Sequence, residues 1–224
     1  MKWLRLAADQ GHAAAQYKLG RIYYTGDFVQ KDESEGVKWY RLAADQGYAE
    51  AQYEVGRIYA QGRHALGPRR KYGPRKYGPS DMAEAVKWYR LAAVQGLAVA
   101  QSELGQIYYY GRFGPQDYAE AMKWYRLAAD QGSPEGQRHL GLMYHFGQGV
   151  PTDFVEAYTW YSSAARISGS GDAAEKRESL ACKLTPEQLS QAELRANDLF
   201  YETRHGWPKR ADHPAEMSAS EVAR

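Results

Sequence analysis

Apolar positions recur along most of the chain with the period of a helix. Leu19, Ile22 and Tyr23 fall at i, i+3 and i+4 within Leu-Gly-x-x-Tyr, which predicts one apolar helical stripe. A second pattern, Trp-Tyr-x-x-Ala-Ala-x-x-Gly, alternates with the first. Its tryptophans stand at Trp3, Trp39, Trp88, Trp124 and Trp160, at intervals of 36, 49, 36 and 36 residues. The glycines Gly20, Gly56, Gly105 and Gly141 keep the same step of 36, 49 and 36. Two helices per 36-residue unit are therefore predicted, with 13 extra residues in one unit.

Start and stop residues place the helices. Asp32, Asp81, Asp117 and Asp153 each precede a repeat tryptophan by seven positions and are followed three later by Glu35, Glu84, Glu120 and Glu156. This Asp-x-x-Glu variant of a capping box predicts helix starts. The same helices should stop at Gly11, Gly47, Gly96 and Gly132, where a left-handed cap suits glycine. Ser133-Pro134 marks the start of the other helix, with equivalents at Ala13, Ala49 and Ala98. Small residues such as Gly20, Ala43 and Ala44 should let helices approach, with Trp39, Tyr40, Leu19 and Tyr23 filling the space between. One such pair cannot bury its own apolar face, so the units should stack into a solenoid.

The text Ala-x-x-x-Leu-Gly-x-x-Tyr, then Gly, then Asp-x-x-x-Ala/Gly-x-x-Trp-Tyr-x-x-Ala-Ala-x-x-Gly resembles the Sel-one-like repeats, relatives of the tetratricopeptide repeats, over roughly residues 1–169. The resemblance implies an all-α, right-handed solenoid of about four to five antiparallel helix pairs. It also implies a non-enzymatic adaptor or scaffold that binds a protein or peptide. Cysteine-rich relatives bind or slowly hydrolyse β-lactams, but this chain lacks their repeated cysteine pairs, so no turnover is expected. The expected divisions are a partial repeat at 1–11 (second helix only), then repeats at 12–47, 48–96, 97–132 and 133–169. Capping helices should follow at 170–204 and a disordered tail at 205–224.

Ser168-Gly169-Ser170-Gly171 should form a turn before the cap, and Asp172 with Glu175 a further capping box, for a helix through about Cys182. Thr185-Pro186-Glu187-Gln188 should start another, carrying the stripe Leu189, Ala192, Ala196, Leu199 and Phe200. The extra residues of the long unit lie at 63–79, where RKYGP occurs twice and Gly and Pro bar a helix. This stretch holds six basic residues and no acid, while the whole chain of 224 residues carries +2, which leaves −4 on the remainder. Nucleic-acid or anionic-surface binding through Arg69, Arg70, Lys71, Arg75 and Lys76 is the alternative functional reading, with a solvated loop preferred over it. No run reaches the roughly 18 apolar residues of a membrane span. MKWLRLAADQG lacks a secretory core and reads as the second half of a repeat, so either a coding start upstream of Met1 or a fragment of a longer chain is expected. The default compartment is the cytoplasm, with the periplasm or secretion open if a signal precedes Met1.

Candidate chemistry is sparse. There is no HExxH, and His139 and His145 are six apart and do not share a helical face, so neither a metal nor a cofactor is expected. Cys182 reads as a buried small hydrophobe. Gly147-Gln148-Gly149 reads as an inter-helix turn rather than a dinucleotide loop. If tetratricopeptide geometry transfers, the concave face carries the residues three before, one after and four after each Leu-Gly glycine. These are Tyr17, Arg21 and Tyr24; Tyr53, Arg57 and Ala60; Ser102, Gln106 and Tyr109; Arg138, Leu142 and His145. Tyr and Arg are enriched at binding hot spots, which makes this row the candidate partner site.

Overall fold

Helix boundaries in the computed structural model, which describes residues 1–62, 79–169 and 171–205, are set by few side chains. The helices are α1 (Lys2–Asp9), α2 (Ala13–Thr25), α3 (Glu33–Asp45), α4 (Ala49–Ala60), α5 (Pro79–Val94) and α6 (Ala98–Tyr110). After these come α7 (Tyr118–Asp130), α8 (Pro134–Phe146), α9 (Phe154–Ser168), α10 (Gly171–Ala181) and α11 (Pro186–His205). The described residues include no strand. The extra segment, apart from Pro79, lies outside the described residues, as do the tail beyond residue 205 and Trp207. The chain divides after Ala100 into two compact units.

Asp32, Asp117 and Asp153 cap their helices as predicted, accepting from the amides of Glu35, Glu120 and both Val155 and Glu156 at 2.9–3.0 Å. The glutamates do something else. Glu35 and Glu120 turn forward and accept the indole N–H of Trp39 and Trp124 at 3.0 and 3.1 Å. A buried indole donor needs an acceptor, and the carboxylate one turn earlier is within its reach. Asp81 does not stand at the start of its helix, because α5 begins two residues earlier at Pro79. Asp172 is likewise inside the first turn of α10, ion-paired to Lys176. Thr185 and Gln188 form the reciprocal box, with amide-to-side-chain bonds of 3.0 and 3.3 Å. Gly11, Gly47, Gly96 and Gly132 all have φ between 80° and 90°, so the second helix of each unit ends as expected.

In the unit Met1–Ala100, α2 packs between α1 and α3, and α4 between α3 and α5. Because α2 is covered on two sides, its buried face is wider than the predicted stripe and takes in Ala15, Gln16, Leu19, Gly20 and Tyr24, with Tyr23 half-buried. In the unit from Gln101, α8 packs on α7 and α9, and α9 is covered by α10 and α11. Ala192 and Ala196 of α11 are fully buried there, as the terminal cap requires. Arg166 bonds Glu193 at 2.7 Å, Tyr158 donates to Glu193 at 2.5 Å, and Arg195 pairs with Glu156. The Trp160 indole N–H has no hydrogen-bond partner, and neither has that of Trp88.

The repeat glycine that follows Leu19, Val55, Leu104 or Leu140 is required by a tyrosine ring rather than by backbone approach alone. A Cβ on Gly105 would stand 2.5 Å from the Tyr125 ring, on Gly141 2.7 Å from Tyr161, and on Gly20 or Gly56 2.8 Å from Tyr40 or Tyr89. Two polar ladders run beside this packing. Gln46, Gln95 and Gln131 donate to Gln16, Gln52 and Gln101 at 2.6–2.7 Å. Gln16, Gln52 and Gln137 in turn donate to the carbonyls of Ala8, Ala44 and Ala129. Arg5, Arg41 and Arg126 donate to Tyr23, Tyr59 and Tyr144 at 2.9–3.0 Å and lie over the rings of Trp39, Trp88 and Trp160 at 4.9–5.9 Å. Each arginine thus ties three successive helices together.

Candidate interaction surface

The first helix of each pair carries the candidate row, and its residues divide by burial. In the unit Met1–Ala100, Tyr17, Tyr53 and Arg57 are half-buried and Arg21 is exposed. Tyr17 packs against Tyr40 and Tyr48 with ring centroids 5.7 and 5.3 Å apart, and Tyr53 against Tyr89 at 5.7 Å. Arg57 is gripped by Glu54 through Nε and Nη2 at 2.8 and 2.6 Å, with its guanidinium 5.8 Å from the Tyr24 ring centroid. Burial and the charges of Glu54 and Glu50 raise the Tyr17 hydroxyl above its ordinary pKa, with Arg21 opposing. The arrangement is an aromatic floor with cations at its surface, able to accept carboxylates and ring faces.

In the unit from Gln101 the row is more deeply engaged. Ser102 is buried against Ser133 at 3.0 Å, and Tyr109 is buried and donates to Gln148 at 2.6 Å. Tyr24, Ser102 and Tyr109 therefore belong largely to helix packing rather than to an open face. Gln106 and Arg138 both reach Glu135, at 3.3 and 2.8 Å, and Arg138 also lies 3.6 Å from Asp172. Leu142 packs on the cluster that includes Leu180. His145 stacks on Phe146 at 4.4 Å, and burial, then Lys183 and Lys176, lowers its pKa. Ala60 is half-buried at the end of α4. Arg69, Arg70, Lys71, Arg75 and Lys76 lie outside the described residues.

His139 was not in the row, yet it is only 1% exposed and stacks on Tyr125 at 4.4 Å and 8°. Tyr17 and Tyr53 pack on the tyrosines of their own units, but the corresponding residue beside Tyr125 is Ser102. A small residue there leaves room that His139 fills from the next helix. Burial and then the Arg138 charge hold its imidazole well below the usual range, while Nδ1 donates to the Glu135 carbonyl at 3.0 Å. The clue in the sequence was the paired change, Ser102 for tyrosine and His139 for the charged residues Lys18, Glu54 and Glu103. Cys182 also departs from expectation. Helix α10 stops at Ala181, so the thiol sits exposed in the following turn and donates to the Ser179 carbonyl at 3.2 Å. Among the described residues no three His, Cys, Asp or Glu side chains gather as a metal site, and no helix is long and apolar enough to cross a membrane.

These features define a helical repeat protein. Sel1 repeat models match residues 1–12, 13–48, 49–97, 98–133 and 134–167, and the chain belongs to the Sel1 repeat family, a fold that generally serves as a non-catalytic scaffold. Among solved structures, a Sel1 repeat protein from Oxalobacter formigenes is 33% identical with a TM-score of 0.68, covering 80% of this chain and 47% of its own. A protective antigen of uropathogenic Escherichia coli strains with an SLR fold is 28% identical with a TM-score of 0.60, covering 96% and 52% respectively. The chain thus spans about half the length of these relatives. None of the curated proteins compared matches it.

Proposed function

We propose that the protein is a non-enzymatic adaptor whose first-helix face holds a partner segment bearing acidic and aromatic side chains. The observation that carries this reading is the patch of Tyr17, Arg21, Tyr53 and Arg57 in the unit Met1–Ala100. Arg21 is exposed in it and makes no ion pair among the described residues, and Arg57 is poised on a tyrosine floor by Glu54. A partner carboxylate can bind Arg21 directly and compete with Glu54 for Arg57, while a partner ring lies against Tyr17 or Tyr53. Within the second unit, Arg138 is likewise held by a glutamate three residues earlier.

Titration calorimetry with a peptide alternating Glu and Tyr, against a control in which Lys replaces Glu, tests this. Binding of the acidic peptide should fall at least about tenfold, or about 1.4 kcal/mol, in the Arg21→Ala, Tyr53→Ala, Arg57→Ala variant at unchanged helicity. Arg21→Glu alone, at an exposed position, should weaken it in the same direction. Equal binding of both peptides, or an unaffected triple variant, defeats the proposal.

A further inference from the structure

We infer that the chain associates with itself head to tail, Phe28 of one copy entering an apolar hollow between α3 and α4 of the next. Phe28 stands in the α2–α3 turn and is the one non-glycine residue with positive φ (67°) among those described. The corresponding position in the α8–α9 turn is Gly149, at φ 77°. Phe28 therefore holds a conformation suited to glycine, and its ring is 94% exposed, so no internal contact compensates. Strain kept at an exposed aromatic marks a position held for contact with something outside the fold.

The same unit contains a receptor of matching character. A hollow of about 530 Å³ is floored by Val37, Leu42, Val55 and Ile58 and rimmed by Lys38 and Arg41. Val55 occupies the place taken by Leu19, Leu104 and Leu140 in the other repeats and lines the hollow. The volume accommodates a phenyl ring, and a ring so exposed does not fill the hollow of its own chain. Asp27, exposed beside Phe28, is opposite in sign to the rim cations and would compete for them with Glu35 and Asp45 of the receiving chain. Knob and hollow are different surfaces, so the contact is heterologous and adds copies in a row instead of closing on a pair. None of these residues is in the tyrosine and arginine row, so the inference stands apart from the adaptor reading.

The contact is small, and association is expected near 10⁻⁴ M, the weak end of specific pairing. Sedimentation equilibrium of the full chain from about 10 μM to 1 mM tests it. Wild-type mass should climb with concentration past two copies, and Phe28→Gly and Leu42→Glu should each weaken association at least tenfold. An equimolar mixture of the two variants should form pairs and stop there, since one keeps the hollow and the other the ring. Phe28→Gly should also melt at a higher temperature than wild type, which separates a lost contact from a damaged fold. A wild type that stays at 25.3 kDa throughout, a Phe28→Gly protein that still associates, or a mixture that does not pair overturns the inference.

Discussion

Single side chains decide how well each repeat joins the next. The glutamine ladder shows this through its one break among the described units. Gln137 is fully buried and donates to Ala129, but its Oε1 accepts from nothing, whereas Gln16, Gln52 and Gln101 each accept from a glutamine at the end of the following helix. The position that should supply the donor is Ile167, seven residues beyond Trp160 as Gln46 is beyond Trp39. A buried acceptor without a donor destabilises by about 1–3 kcal/mol. Ile167→Gln should restore the ladder and raise stability by about 1 kcal/mol in urea denaturation. Gln137→Leu in the Ile167→Gln background should remove that gain.

At the scale of elements, most boundaries were legible because each depends on a local device. Ser133-Pro134, Thr185-Gln188 and the αL glycines act within one turn, so their text determines them. What was not legible depends on contacts between helices. The forward turn of Glu35 and Glu120 needs the indole beside it, the clamp of Arg41 needs both Tyr59 and Trp88, and the burial of Tyr24 and Tyr109 needs the helices on either side. The candidate row falls on the first helix of each pair, but its residues differ in burial, with Tyr24, Ser102 and Tyr109 buried and Arg21 exposed. The α7–α8 interface makes this testable through pH. His139 has its folded pKa lowered by burial, so the unfolded chain takes up the proton first as pH falls. Stability from this group is complete above the unfolded value of 6.5 and declines from there towards about pH 4. His139→Phe keeps a ring over Tyr125 and should make the stability profile shallower between pH 7 and 5, measured by thermal melts, with the slope from His145 remaining. A profile as steep as wild type would place the titration elsewhere. Asp172, held low by Lys176, adds its own loss only at more acidic pH.

At the scale of the molecule, the charge is divided rather than balanced, with a basic stretch at 63–79 set against a remainder of the chain that sums to −4. The adaptor reading assigns partner capture to the repeats. Deleting thirteen residues from this stretch, 64–76, restores the 36-residue step between Trp39 and Trp88. That variant should keep its far-ultraviolet dichroism and its affinity for the acidic peptide, at both 50 and about 300 mM salt. Loss of affinity together with loss of salt dependence would transfer recognition to the basic stretch.

The first tryptophan differs from its counterparts in one respect that can be observed directly. Trp3 is 82% exposed, whereas Trp39, Trp88, Trp124 and Trp160 are at most 8% exposed. In a Trp207→Phe background its indole fluorescence should be the red-shifted, iodide-quenchable component of an otherwise blue and protected emission. Whatever docks against α1 would shift that component and shield it, so the chain carries a built-in optical gauge of occupancy at its first helix.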